Sequence, residues 1–365
     1  MIEQLYNDAI NLLKDLISIP SFSKDESRTA DCIEGFLEVK GLKVNRHLNN
    51  VWVVHPDYNP DRPTLLLNSH HDTVKPSQAW TVDPFVPTFL DGKLMGLGSN
   101  DAGGPLVSLM ATFLFFCQTD KIPYNLIFAA TAEEENSGAN GIESILDKIG
   151  PVSLAIIGEP TKMELAVAEK GLMVLDCKAI GKPGHAAREE GVNAIYKALK
   201  DIEWFRNFSF EKTSEVLGPV KMSVTQIKAG YQHNMVPDVC EFVVDVRTNE
   251  HYLNHEALEI IKQHVECEVI ARSLRLNSSF IPENHPLVII AREMKIHCYG
   301  SPTTSDQAVI PFTSVKMGPG DSARSHTANE FIYPAEIKQG IEQYITILQK
   351  LILLEILFNP VVYLL

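Results

Sequence analysis

Apolar runs at residues 126–130 and 154–157, and the stretch TLLLN at 64–68, have the length and composition of strands buried on both faces. Around them the apolar period is helical. Leu5, Ala9, Leu12 and Leu16 recur at the spacing of one helix face, and a second helix carries Ile33, Phe36 and Leu37. Ser23 with Glu26 resembles a capping box ahead of that second helix, and Gly41 suits its end. Further strands are expected at 42–45 and 51–54, an apolar helix at 106–116 and another helix at 138–149.

The texture changes near Gly171. Strand 173–179, helix 192–205, strands 220–228 and 241–248, a helix near 255–264 and strand 268–273 follow in turn. This β-α-β-β-α-β order is that of a ferredoxin-like layer. After Pro286 the first pattern resumes with helix 287–295, strand 313–317 and a long helix from Pro334. The expected fold is therefore α/β, a mixed, mostly parallel sheet flanked by helices over 1–170 and 284–365. The ferredoxin-like domain is inserted at 171–283. A chain of 365 residues is long enough for two cores.

Composition narrows the partners. With 45% hydrophobic and 21% charged residues the chain reads as globular and soluble. Its formal charge of −14, from 32 basic and 46 acidic residues, disfavours nucleic acid and anionic membrane. A cationic metal or a small zwitterionic substrate is compatible with that balance. The six cysteines are scattered without a C-x-x-C pair, which favours buried thiols in a reducing compartment. The acidic first helix lacks the basic start of a secretory signal. The apolar segment LILLEILFNPVVYLL is broken by Glu355 and Pro360 and falls short of a membrane span, so a packed or subunit-contact helix is expected.

The chemistry collects where strands end. The run 126–130 leads into Glu133, Glu134 and Glu135. Three adjacent anions at the mouth of a buried strand are tolerable facing open water, or around a cation. Other strands of the larger domain end at His70, at Glu159 and, after Gly318-Pro319-Gly320, at His326; Asp101 sits in a glycine-rich turn. In open α/β sheets such ends share one edge, where ligands bind.

His70 and Asp72 are two apart and face one side. That suits a metal-ligating imidazole whose other N–H is held by a carboxylate. Two imidazoles and three carboxylates suit zinc, or cobalt and manganese, better than calcium or a redox iron site. Five ligands are too many for one tetrahedral ion with an open position, and suffice for two ions if one carboxylate bridges. Asp101, among Gly98, Gly103 and Gly104, is best placed to do so. One glutamate of the triplet then ligates while a neighbour serves as general base; spacing leaves open which does which. Gly96-Leu97-Gly98 fails the dinucleotide fingerprint, because Asp101 stands where the third glycine belongs. No G-x-S-x-G, H-E-x-x-H or phosphate loop occurs.

The segments SHHDT, GLGSNDAGG, TAEEE, IIGEPT and GPGDSARSHTANEF, in this order around an inserted domain, resemble the dinuclear zinc amidohydrolases of the M20 peptidase family. Within it the likeness is to the acetylornithine deacetylase and succinyl-diaminopimelate desuccinylase branch. The resemblance implies two zinc ions, with His70 and Glu159 on one, Glu135 and His326 on the other, and Asp101 bridging. It makes Glu134 the general base and Asp72 the orienter of His70. It implies that the inserted domain is a lid and dimerisation module. Its His185, in GKPGHAA, would reach the partner subunit's site and stabilise the oxyanion, with Asn234 and Arg247 contacting substrate. The activity implied is deacylation of an Nα-acyl amino acid, N-acetylornithine foremost, by a cytoplasmic homodimer serving arginine biosynthesis. Removal of acyl groups from N-succinylornithine, N-acyl-citrulline or N-succinyl-diaminopimelate, and dipeptide cleavage, are the neighbouring readings.

Three departures from the family pattern leave the ligands intact and bear on the pocket and the acyl group. Asp101 is followed by Ala102-Gly103-Gly104 instead of Met-Lys-Gly, Glu133 replaces the usual Asp, and the charged run Arg188-Glu189-Glu190 replaces a Pro. A non-catalytic binding protein on the same fold is the rival class. The paired glutamates weigh against it, since a pure binder needs no free base.

Overall fold

In the computed structural model, which describes residues 1–119 and 122–358, the apolar runs meet at the centre of a mixed sheet. Strands Thr64–His70 and Asn125–Thr131 are buried at every position and pair in parallel, from Thr64 opposite Asn125 to His70 opposite Thr131. Strand Leu154–Ile157 runs parallel on the other side of Thr64–His70, and Ser314–Lys316 runs parallel to it in turn. Antiparallel strands Asn50–Val54 and Val44–His47 close one side. Strands buried on both faces need cover on both. Helix Gly104–Phe116 lies against strand Thr64–His70, packed between helices Ile2–Ile17 and Pro334–Phe358. Opposite, Trp52, Leu66, Ile127 and Ala129 pack with Ile142 and Ile145.

Parallel pairing has a direct consequence for function. The carboxyl ends of Thr64–His70, Asn125–Thr131, Leu154–Ile157 and Ser314–Lys316 all point to one edge, and so do the loops that follow them.

Two expectations need correction. Residues 138–149 are not one helix; a turn precedes a short 3-10 helix, Ile142–Ile145, and one helical turn, Leu146–Ile149. The cause is local competition for hydrogen bonds. Gly138 N–H goes to the Glu133 carbonyl and Ser137 N–H to the Glu134 carbonyl, while Asn140 donates to the Glu133 carboxylate. Nor do Ser23 and Glu26 form a capping box: helix Ser27–Val39 starts without a side-chain cap. Both residues are spent elsewhere, as the site shows.

The chain divides into two compact units. One comprises Met1–Val167, Ile281–Tyr299 and the chain from Ser305 onward; the other comprises Ala168–Phe280 with Gly300–Thr304. The second has a four-stranded antiparallel sheet in the spatial order Lys221–Ala229, Val239–Arg247, Met173–Ile180, Glu268–Ala271. Helices Ala194–Asn207 and Asn254–Lys262 contribute to its core with the buried side chains Leu175, Cys177, Phe242 and Val244. First and third strands in the middle, with a helix in each crossover, is the ferredoxin-like arrangement. The cysteines are all unpaired. Among the described residues no helix is long and apolar enough to cross a membrane. The expected apolar C-terminal segment continues helix Pro334–Phe358, and its last seven residues lie outside the described chain.

Candidate metal centre

His70 is the last residue of its strand and is 1% exposed. Its Nδ1 lies 3.0 Å from the Asp72 backbone carbonyl and 3.4 Å from the Asp72 carboxylate. A carbonyl only accepts, so Nδ1 carries a proton, while Nε2 is turned toward the carboxylates of Asp101 and Glu159. The expected carboxylate partner is thus second to the main chain of the same residue. The Asp72 carboxylate is instead the hub of the acidic turn. It accepts the Ser23 hydroxyl at 2.7 Å, the Glu134 N–H at 3.1 Å and the Glu135 N–H at 3.2 Å. Burial pushes this carboxyl up, but His70 and Ser23 outweigh it and hold it below its ordinary value.

Glu26, fully buried, supports the first acid of the triplet. Its carboxylate accepts the Glu133 N–H at 3.3 Å and the Asn49 amide at 2.9 Å. Glu133 has a left-handed backbone, φ +56°, and faces Asn140. It is a brace for the turn, not part of the ligand set.

Asp101 is carried on the glycine-rich turn. Gly98 has φ +74°, and a Cβ at Gly103 would stand 2.4 Å from the Gly98 carbonyl, so both positions require glycine. The turn wraps around a buried carboxylate that spacing did not single out. Glu330 accepts the N–H groups of Gly98, Asn100 and Asp101 at 3.2, 2.8 and 2.9 Å. In return the Asn100 side chain exchanges hydrogen bonds with the Asp321 backbone at 2.9 and 3.0 Å, in the loop that leads to His326.

These supports bring five side chains together. The Nε2 of His70 is 3.2 Å from Asp101 Oδ1 and 3.9 Å from Glu159 Oε1. The Nε2 of His326 is 2.9 Å from Glu135 Oε2 and 3.7 Å from Asp101 Oδ2. Two groups with metal-ligand spacing result, His70 with Asp101 and Glu159, and Asp101 with Glu135 and His326. Asp101 is in both. Glu134 is in neither, with Oε2 3.8 Å from His70 Nε2.

The donor set fits divalent cations. Glu159 Oε1 is buried without a hydrogen-bond partner. Burial, then the charge of Asp101, pushes the Glu159 carboxyl up to about 8. Burial, with Glu159, Asp306 and Glu135 adding to it, pushes Glu134 well above its ordinary value. Carboxylates this crowded are short of positive charge, which bound cations would supply. Imidazole and carboxylate donors without thiolate suit zinc, cobalt or manganese.

The profile of peptidase family M20/M25/M40 matches residues 66–350. The chain belongs to peptidase family M20/M25/M40. It is a hydrolase of that family. It is 24% identical over 379 residues to the succinyl-diaminopimelate desuccinylase of Xylella fastidiosa strain M23, spanning 95% of this chain and 99% of that protein. It is 26% identical over 366 residues to the acetylornithine deacetylase of Proteus mirabilis strain HI4320, spanning 90% and 93%. Its fold is similar to that of the Bacillus subtilis YXEP protein, a dinuclear metal-binding peptidase from the M20 family. The TM-score is 0.70 at 17% identity, over 97% of this chain and 99% of that one.

Three residues expected at the site of this M20 hydrolase lie in the second unit. His185 is exposed, pairs across a two-stranded ladder with Met235, and accepts the Ala187 N–H at Nδ1. The Asn234 carbonyl accepts the Ala186 N–H at 3.0 Å. Arg247 is held by Asp245 through Nε at 2.8 Å and Nη2 at 3.1 Å, and its Nη1 lies 3.4 Å from Thr304 Oγ1. Spacing also passed over Asp306, buried beneath the site, which accepts from Asn68 and Thr131 at 2.8 Å each. Burial raises its carboxyl to about 6. No pattern in the chain marks Asp306, whereas Glu330 stands four residues beyond His326 inside a recognised segment.

Proposed function

We propose that this M20 hydrolase cleaves the amide bond of an Nα-acyl amino acid, with N-acetylornithine as substrate and arginine biosynthesis as setting. The observation that carries the reading is the sharing of Asp101 by both ligand groups while Glu134 stays outside them. Such a set has room for two divalent ions and leaves one carboxylate free. His70 and Glu159 would hold one ion, Glu135 and His326 the other, and Asp101 both. When bound, such ions supply Lewis acidity that polarises a carbonyl and acidifies water.

Glu134 takes the proton of the attacking water and returns it to the departing amine. It lies beside His70 and outside both ligand groups, which leaves it free for that transfer. Asp72 keeps His70 in the Nδ1–H form and aims the glutamate turn. We assign His185, supplied by a partner chain, to the oxyanion, and Asn234 and Arg247 to oxygens of the substrate. We read the protein as a homodimer with zinc, working in the cytoplasm; for the homodimer the support is a groove of the second unit. Tyr196, Tyr231 and Met235 line it and are exposed, and Met235 pairs with His185. Exposed apolar surface of this kind is what a second copy would cover.

Desuccinylation of N-succinyl-diaminopimelate is the second reading, favoured by the likeness to the Xylella enzyme. A panel of N-acetyl and N-succinyl ornithine, citrulline and diaminopimelate decides between them. N-acetylornithine should give the highest kcat/KM, with activity lost to a chelator and restored by zinc. Preference for the succinyl substrate selects the second reading. Absence of chelator-sensitive hydrolysis across the panel overturns both.

A further inference from the structure

We propose that Glu330 is a positioning residue for the metal centre, fixing the backbone that carries Asp101 and, with it, the half of the site formed by Asp101, Glu135 and His326. The inference rests on the two-ion reading above and assigns a role to a residue that is in neither ligand group.

Glu330 is 2% exposed. Its carboxylate accepts three backbone N–H groups of the glycine-rich turn, and its own carbonyl accepts a fourth, from Gly96, at 3.0 Å. Four amides between residues 96 and 101 therefore converge on one residue. Gly98 and Asn100 are buried on the tight path through Gly98 and Gly103, so their N–H groups depend on the carboxylate as acceptor.

Glu330 is itself held on both sides. After it, Phe331 and Ile332 pair with Met95 and Leu94. Before it, the Asn329 side chain accepts the Thr81 N–H at 3.0 Å and donates to the Thr81 hydroxyl at 2.9 Å. His326 lies only four residues upstream. The return tie from Asn100 to Asp321 closes the frame on the other side of His326. The shared carboxylate and the half-exposed imidazole thus sit on two segments that template each other. Misplacement of either would be felt first in the group that contains both, Asp101 with Glu135 and His326.

Glu330→Gln preserves size but offers one acceptor oxygen and turns an NH2 toward amide donors that must face it. Glu330→Asp keeps the charge and withdraws the oxygens by one methylene. Metal-free wild-type and variant proteins are titrated with cobalt(II), reading the visible absorption band and the number of ions bound at equilibrium. Thermal unfolding is recorded alongside. Wild type binds two ions. Glu330→Gln folds and weakens ion binding, most for the ion of the Asp101, Glu135 and His326 group, by about 10–100-fold, the range for supports behind metal ligands. Glu330→Asp weakens the same ion and keeps the inference testable if the glutamine variant does not fold. Leu37→Ala, a core truncation in helix Ser27–Val39, controls for lost stability and retains both ions at wild-type affinity. Wild-type affinity for both ions in a folded Glu330 variant, or an equal loss in Leu37→Ala, overturns the inference. Wild-type protein that binds fewer than two ions overturns the two-ion reading instead, and this inference falls with it.

Discussion

The Asp72 carboxylate accepts the backbone N–H of Glu134 at 3.1 Å. The residue beside His70 therefore also sets where the acidic turn points, with Ser23 holding it from behind at 2.7 Å. Asp72→Asn keeps the shape and places an NH2 against one of the N–H donors. The expected result is a kcat/KM about 10–100-fold lower, with metal content near wild type. Ser23→Ala acts in the same direction and less. Steady-state kinetics with parallel metal analysis check both; unchanged kinetics in Asp72→Asn would remove it from the account.

Glu134 is the acid of the triplet that neither ligand group uses. Glu134→Gln should lower kcat by about 100- to 10,000-fold, the usual contribution of a general base, while two ions still bind. Substantial turnover in that variant would place the base elsewhere.

The carboxyls of Glu159 and Glu330 are raised from 4.5 to about 8, by burial first and by the charge of Asp101 second. Where a folded-state value exceeds the unfolded one, the stability it brings is complete below the unfolded value and is lost as pH rises through the folded one. His326, raised from 6.5 to about 9 chiefly by its hydrogen bond to Glu135, has the same sign. Asp72 is lowered, so its contribution changes only in acid, outside this window. The metal-free protein should accordingly melt lower at pH 9 than at pH 6, by about 5 °C or more. Saturating zinc should shrink that gap. A metal-free Tm that rises over the same interval would contradict the assignment of uncompensated charge.

Gly138 separates packing from local strain. A Cβ there would stand 1.9 Å from Glu133 Oε2 and 2.7 Å from Asn136 Oδ1, in a turn whose Glu133 is already left-handed. Gly41, with φ +80°, has open space around it. Gly138→Ala should lower activity at least about tenfold by displacing the glutamate turn, since misplacement by about 1 Å can cost 100-fold. Gly41→Ala should lower stability by about 1 kcal/mol and leave kcat/KM unchanged. Calorimetry and kinetics on the two variants distinguish the effects.

Much of the candidate site was legible because each residue of the two clustered groups follows a buried strand or a glycine turn, and both leave marks in a sequence. The stretches read at 64–68 and 126–130 lie in strands that pair in parallel, and parallel pairing sends His70 and the glutamates to one edge. What lay beyond reading was the set of supports. Ser23 and Glu26 have the spacing of a helix cap, yet Ser23 bonds to Asp72 and Glu26 to the Glu133 backbone. Tertiary partners took side chains that local geometry would have used at the helix start. Asp306 is found only by folding, since Asn68 and Thr131 come from two other strands. The helix expected over 138–149 failed for a related reason, its first hydrogen bonds being taken by the turn that presents Glu134 and Glu135.

The most direct test counts ions in three proteins by elemental analysis after equilibration with buffered zinc: wild type, His326→Ala and Asp101→Ala. A shared carboxylate predicts two ions in wild type, about one in His326→Ala and close to none in Asp101→Ala. One or more ions held by Asp101→Ala at wild-type affinity would contradict the shared centre on which the whole account rests.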